Sequence, residues 1–218
     1  MGRPAQRRLV RKGDLERTLS EIEVNPQPKA YLEQYTTPST VAAEVLYLAA
    51  YINDDVIGKS VMELGCGTGR LAIGAALLGA KEVFGLDLDK ISVKIAKKYA
   101  KKMGFKENTH WIVGDIDVVK GSFDTVLQNP PFGVQRKNAD RRFITKSLEL
   151  SNKIYSFHKR GNSNREFIKR FIEEQGGHIS KIFPVTMEIP RMFKFHTKKK
   201  QCIQVDLYLV EGKVNDNI

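Results

Sequence analysis

A chain of 218 residues is most simply one domain, large enough to bury roughly 70% of its extended surface in a single core. Its 36 Lys+Arg against 25 Asp+Glu leave a formal charge of +11. That excess suits a polyanionic partner such as nucleic acid or the ribosome, because it clusters at the N-terminus, at Arg136 to Arg142 and at Lys198-Lys199-Lys200. Two cysteines, Cys66 and Cys202, make neither a disulfide framework nor a zinc site, and no apolar run would span a bilayer. The expectation is a cytoplasmic protein without a metal site or a membrane association.

Residues 1–30 join a basic start (Arg3, Arg7, Arg8, Arg11, Lys12) to a short helical pattern, Leu15, Leu19 and Ile22, and to the extended Asn25-Pro26-Gln27-Pro28. They are expected to form a basic extension outside the domain of residues 31–212, with 213–218 as a tail. Leu32-Glu33-Gln34-Tyr35-Thr36-Thr37-Pro38 leads into a helix through Val41, Val45, Leu46 and Ala49, with Thr37 as its cap, Pro38 in its first turn, and Gln34 and Thr37 at the surface.

From residue 60 to 131, strand and helix signals alternate. Val61 to Leu64, Val83 to Leu86, Trp111 to Val113 and Phe123 to Leu127 read as strands; Arg70 to Leu78 and the Ile91, Ile95, Tyr99, Met103 stripe read as helices. This order implies a parallel sheet with right-handed crossovers. A helix through Phe143 and Leu150, a strand from Lys153 to His158 and a helix from Ser163 to Gln175 continue it. Residues 178–190 and 201–210 then pair as a hairpin across a basic loop.

Four strand ends carry the chemistry. Glu63-Leu64-Gly65-Cys66-Gly67-Thr68-Gly69 joins the first strand to its helix through alternate glycines, which let a backbone approach a ligand while helix-start N–H groups point outward. Its spacing is not the G-x-G-x-x-G of dinucleotide folds, so alone it is a weak signal. Asp87 ends the second strand, where a carboxylate can accept both hydroxyls of a ribose. Asp115 ends the third, within reach of an adenine amino group. Either acid alone is as readily a solvated turn residue; the succession is the signal. After the fourth strand, Asn129-Pro130-Pro131-Phe132 must leave the sheet as a stiff loop, since neither proline can donate to the ladder.

This pattern resembles the class I S-adenosylmethionine-dependent methyltransferases, and Asn129-Pro130-Pro131-Phe132 resembles the motif of those that methylate planar nitrogens. Leu32 to Tyr35, Leu64 to Gly67, Asn129 to Gly133, Tyr155-Ser156-Phe157-His158-Lys159, Lys194 to Lys200 and Val205-Asp206-Leu207 are further similar to the methyltransferase-like protein 5 family and its archaeal relatives, which methylate adenine N6 in small-subunit ribosomal RNA. The resemblance implies an α/β, Rossmann-like, seven-stranded and mostly parallel sheet with a C-terminal antiparallel hairpin and helices on both faces. It implies S-adenosyl-L-methionine as cofactor, held by Gln34, Thr37, Gly65, Thr68, Leu71, Asp87 and Asp115. It also implies a small zinc-binding activator of the Trm112 type, docking on a sheet edge.

In that setting Asn129 and the Pro130 carbonyl would accept the two N–H bonds of an adenine amine, Phe132 would stack on the base, and Pro131 would stiffen the loop. Arg136, Lys137, Arg141, Arg142, Lys198, Lys199 and Lys200 are candidate phosphate contacts. Cys66 reads as a small packed residue, His158 and His196 as positional or RNA-facing, and Trp111 as core. Two alternatives remain: methylation of a protein glutamine amide, and an RNA-binding assembly factor with vestigial catalysis.

Overall fold

The computed structural model describes residues 10–132, 139–190 and 200–212. Its strands are β1 (Ser60–Leu64), β2 (Glu82–Asp87), β3 (Thr109–Val113), β4 (Thr125–Gln128), β5 (Lys153–Lys159), β6 (His178–Pro190) and β7 (Lys200–Glu211). They form one sheet in the order β3-β2-β1-β4-β5-β7-β6. β1 to β5 run parallel, while β7 pairs antiparallel with both β5 and β6. The hairpin expected from the last two apolar runs is present, and its returning strand is inserted between β5 and β6.

The helices are α1 (Lys12–Ser20), α2 (Ser39–Tyr47), α3 (Arg70–Leu77), α4 (Lys90–Lys102), α5 (Ala139–Leu150) and α6 (Asn162–Glu174). Because successive strand residues face opposite ways, the sheet feeds two cores. Val61, Leu127, Tyr155, Phe157, Leu207 and Leu209 pack with α1 to α4, whereas Met62, Val126, Ile154, Tyr208 and Val210 pack with α5 and α6. Both faces of the sheet are therefore covered, as a Rossmann-like fold requires.

The N-terminal stretch departs from expectation. From Lys12 onward it is no appendage, because Leu15, Leu19 and Ile22 are at most 1% exposed and belong to the first core. The helical spacing was legible, but the surface it would meet, on α2 and α3, was not. Among the described residues no helix is long and apolar enough to cross a membrane, and no cluster of three or more His, Cys, Asp or Glu could hold a metal.

The strand order reverses direction at β1, which has β2 on one side and β4 on the other. A crevice opens at the carboxyl ends of strands at such a switch point. The loops that leave β1, β2, β3 and β4 meet there.

Candidate active site

Gly65, Gly67 and Gly69 have φ of +67°, +52° and +80°, a region that strains any residue with a Cβ. Space is short as well: a Cβ on Gly65 would lie 3.1 Å from the Phe143 ring, and one on Gly69 2.6 Å from the Trp111 indole. Trp111 thus sits half-buried against the turn rather than deep in the core. The Gly67 N–H donates to Asp87 Oδ2 and the Asp89 N–H to Asp87 Oδ1, each at 2.8 Å. Burial raises the Asp87 pKa above the usual carboxylate value, against the pull of those two N–H bonds. Glu63, beneath the turn, accepts the Ala72 N–H at 2.7 Å, and burial pushes its pKa well up.

A strap from Asn25 to Thr37 closes the crevice from above. Asp89 caps α4 and takes Asn25 Nδ2 at 2.5 Å and Lys29 Nζ at 3.1 Å. Burial would raise its pKa, but the hydrogen bonds from Ser92 and Lys29 outweigh this and hold it below the usual value. Further along, Glu33, at φ +50°, accepts the Phe132 N–H at 2.8 Å. Thr37 Oγ1 accepts a hydrogen bond from Asn129 Nδ2 at 3.0 Å, and the Thr37 carbonyl accepts one from Arg70 Nη1 at 2.7 Å. The strap therefore touches both the start of α3, directly after the glycine turn, and the tetrapeptide.

Between strap and sheet lies a cavity of about 310 Å³. Gln34, Thr37, Gly65, Thr68, Asp87, Asp115, Asn129 and Pro131 line it, so one space brings together the glycine turn, both acids and the amide. Thr37 is not at the surface and is not the helix cap. It is 6% exposed, Pro38 occupies the cap position of α2, and the hydroxyl serves Asn129 instead. Leu71 is not on the wall; its side chain is 1% exposed in the core, because α3 turns that position inward. Pro130 is buried and Phe132 half-buried against the first core, and neither lines the cavity.

The basic candidates divide. Arg141 lies 4.3 Å over the Phe167 ring, and Arg142 bonds Asp115 Oδ1 and Asp117 Oδ2 at 2.7 Å each, so both already have partners within the fold. Lys200 begins β7; Arg136, Lys137, Lys198 and Lys199 lie outside the described residues, as does His196. His158 does not face RNA: it is 1% exposed, with Nε2 2.7 Å from Ser156 Oγ, and burial lowers its pKa to about 3. Cys66 is a packed thiol that burial makes harder to ionise. Asn129 Oδ1 is buried and has no hydrogen-bond partner among the described residues. Sequence reasoning missed Asn25, Lys29, Asp89 and Arg70 as parts of the site; only Arg70, directly after the third glycine, had a local cue.

The family model for ribosomal protein L11 methyltransferase (PrmA) matches residues 39–130, the stretch that holds the glycine turn and both acids. The chain is 36% identical over 204 residues to the rRNA N(6)-adenosine-methyltransferase Mettl5 of Drosophila melanogaster, covering 90% of this chain and 94% of that one. It is 40% identical to a candidate RNA methyltransferase from Pyrococcus horikoshii of known crystal structure, with a TM-score of 0.87 over 94% of this chain and 99% of that one. Magnesium protoporphyrin IX methyltransferase from Synechocystis, solved with bound S-adenosylmethionine, shares the fold at 17% identity and a TM-score of 0.61, over 78% of each chain. On sequence, sheet order and the arrangement of the crevice, the chain belongs to the methyltransferase-like protein 5 family of S-adenosylmethionine-dependent methyltransferases.

Proposed function

We propose that this enzyme methylates adenine N6 in ribosomal RNA, that of the small subunit. The observation that carries the proposal is Asn129 Oδ1, a buried acceptor with no partner among the described residues, on the wall of the cavity that also holds the glycine turn and Asp87. S-adenosylmethionine, when bound, supplies an electrophilic methyl on a sulfonium. The residues present fit it: a turn whose three left-handed glycines leave its backbone open to a ligand, a carboxylate at Asp87 for a ribose and one at Asp115 for an adenine.

An exocyclic amine is a weak nucleophile because its lone pair is delocalised into the ring. Asn129 Oδ1, on the cavity wall, would accept one of its N–H bonds, which favours a more tetrahedral nitrogen; by the family resemblance the Pro130 carbonyl, which does not line the cavity here, would take the other. Thr37, by engaging Nδ2, keeps the oxygen end of the amide toward the cavity. Glu33 holds the Phe132 N–H, and with it the plane in which that ring would meet the base. Alignment and preorganised acceptors then carry the catalysis, with no strong general base required.

An adenine reaches such a cavity only when single-stranded or flipped, and the basic segments around Arg136 and Lys198 would hold the flanking phosphates. The edge strand β3, with Val113 half-exposed, offers a place where the Trm112-type activator would add a strand. A cytoplasmic setting and one methyltransferase domain that takes in α1 complete the proposal. The test is incubation with methyl-labelled cofactor and three acceptors: ribosomal RNA, small subunits and a glutamine peptide. Label should enter RNA; label confined to the peptide would overturn the adenine reading and favour the glutamine alternative.

A further inference from the structure

We infer that Arg70 is the anchor for the cofactor's amino-acid arm, its guanidinium taking the α-carboxylate. Among the described residues, six charged side chains line the cavity: Glu33, Glu63, Asp87, Asp115, Arg70 and Arg142. The two cations differ in their company. Arg142 is held by Asp115 and Asp117. Arg70 has no carboxylate within ion-pair distance among the described residues. It donates only to neutral carbonyls there, Thr37 O at 2.7 Å and Ile22 O at 3.0 Å, and its buried Nε has no partner.

Such a cation is doubly disfavoured. Burial lowers its pKa with no carboxylate within ion-pair distance among the described residues, and the residue begins α3, where the helix dipole is already positive. An anion bound beside it would relieve both penalties. Topology says which anion. Along the sheet the cavity presents Asp115 after β3, Asp87 at the end of β2, the glycine turn after β1 and Asn129 after β4. A ligand with its nucleoside over the two acids and its reactive centre near Asn129 lays its remaining arm across the glycine turn, next to Arg70. The arm is a zwitterion, with an ammonium suited to the acids lining the cavity and a carboxylate suited to a guanidinium fork. The bonds to Thr37 and Ile22 fix the guanidinium, so the cation is in place before the ligand arrives.

Thr37 bonds Arg70 through its carbonyl and Asn129 through its hydroxyl, so the carboxylate seat and the acceptor amide are held by one residue. This inference rests on dependence on S-adenosylmethionine and is independent of which acceptor is methylated, so its failure and that of the adenine proposal are separable. Calorimetry on the full chain tests it without turnover. Three ligands are compared: S-adenosylhomocysteine, its analogue lacking only the carboxylate, and 5′-methylthioadenosine, which lacks the whole arm. In the wild type, removing the carboxylate should weaken binding by about 10- to 100-fold. In Arg70→Gln, S-adenosylhomocysteine should weaken by a similar factor while both carboxylate-free ligands bind as before, and Arg70→Lys should recover part of the loss. Equal affinity of the wild type for S-adenosylhomocysteine and its decarboxylated analogue, or a parallel loss of all three ligands in Arg70→Gln, would overturn the assignment. The wild-type comparison can still overturn the assignment if the glutamine variant does not fold, and Arg70→Lys then carries the residue-specific test.

Discussion

Asn129 owes its orientation to a threonine 92 positions earlier in the chain, a dependence that no local motif contains. Thr37→Val keeps the shape and the backbone carbonyl but removes the hydroxyl, freeing the amide to rotate. It should lower kcat by about tenfold or more, as a misaligned acceptor does, with Thr37→Ser close to wild type and S-adenosylhomocysteine affinity unchanged. A kcat equal to wild type in the valine variant would remove the positioning role. His158 provides a stability test. It is buried neutral with a pKa of about 3, whereas the unfolded chain protonates it near the ordinary histidine value of 6.5. Its contribution is therefore complete above pH 6.5 and is lost as pH falls toward 3, by about 2 kcal/mol at pH 5. Glu63 acts in the opposite sense, since its raised pKa means that the native state takes up a proton first as pH falls. The diagnostic is thus the difference between wild type and His158→Gln: denaturant titrations should show a shallower loss from pH 6.5 to 5 in the variant. Parallel curves would contradict a buried neutral histidine.

At the scale of elements, α1 is where the structure adds most. Leu15 and Leu19 are fully buried against α2 and α3, so Leu19→Ala should cost about 2–4 kcal/mol in chemical unfolding, far more than the change of about 0.5 kcal/mol expected for an appendage. The sheet itself was readable: every strand coincides with an apolar or alternating run, and the three glycines in the turn announce a backbone that needs positive φ. What was hidden depends on pairing at a distance. Thr37 looked like a cap because threonine before proline and a helix usually is one; the competing hydrogen bond from Asn129 could not be seen. Leu71 was placed at the cofactor by the family resemblance alone, but helical geometry points it into the core. Arg142 looked free for phosphate until α5 brought it over Asp115 and Asp117.

At the scale of the whole molecule, Arg141 and Arg142 are already engaged within the fold, so under the proposed function the phosphate contacts fall to the other basic segments. If Arg136, Lys137 and Lys198 to Lys200 contact phosphates, the logarithm of RNA affinity should fall with the logarithm of salt concentration with a slope of about −3 to −4. An affinity indifferent to salt would remove these segments from the interface. The cavity, the strap and the tetrapeptide converge on one chemical claim, that Asn129 Oδ1 prepares an adenine amine for methylation. It is tested most directly by digesting ribosomal RNA treated with the enzyme and methyl-labelled cofactor, and resolving the nucleosides by mass spectrometry. Label should appear in N6-methyladenosine with the wild type. That product should fall about 10³-fold with Asn129→Ala, while S-adenosylhomocysteine still binds. Label in any other nucleoside, or undiminished N6-methyladenosine from the variant, would contradict the claim.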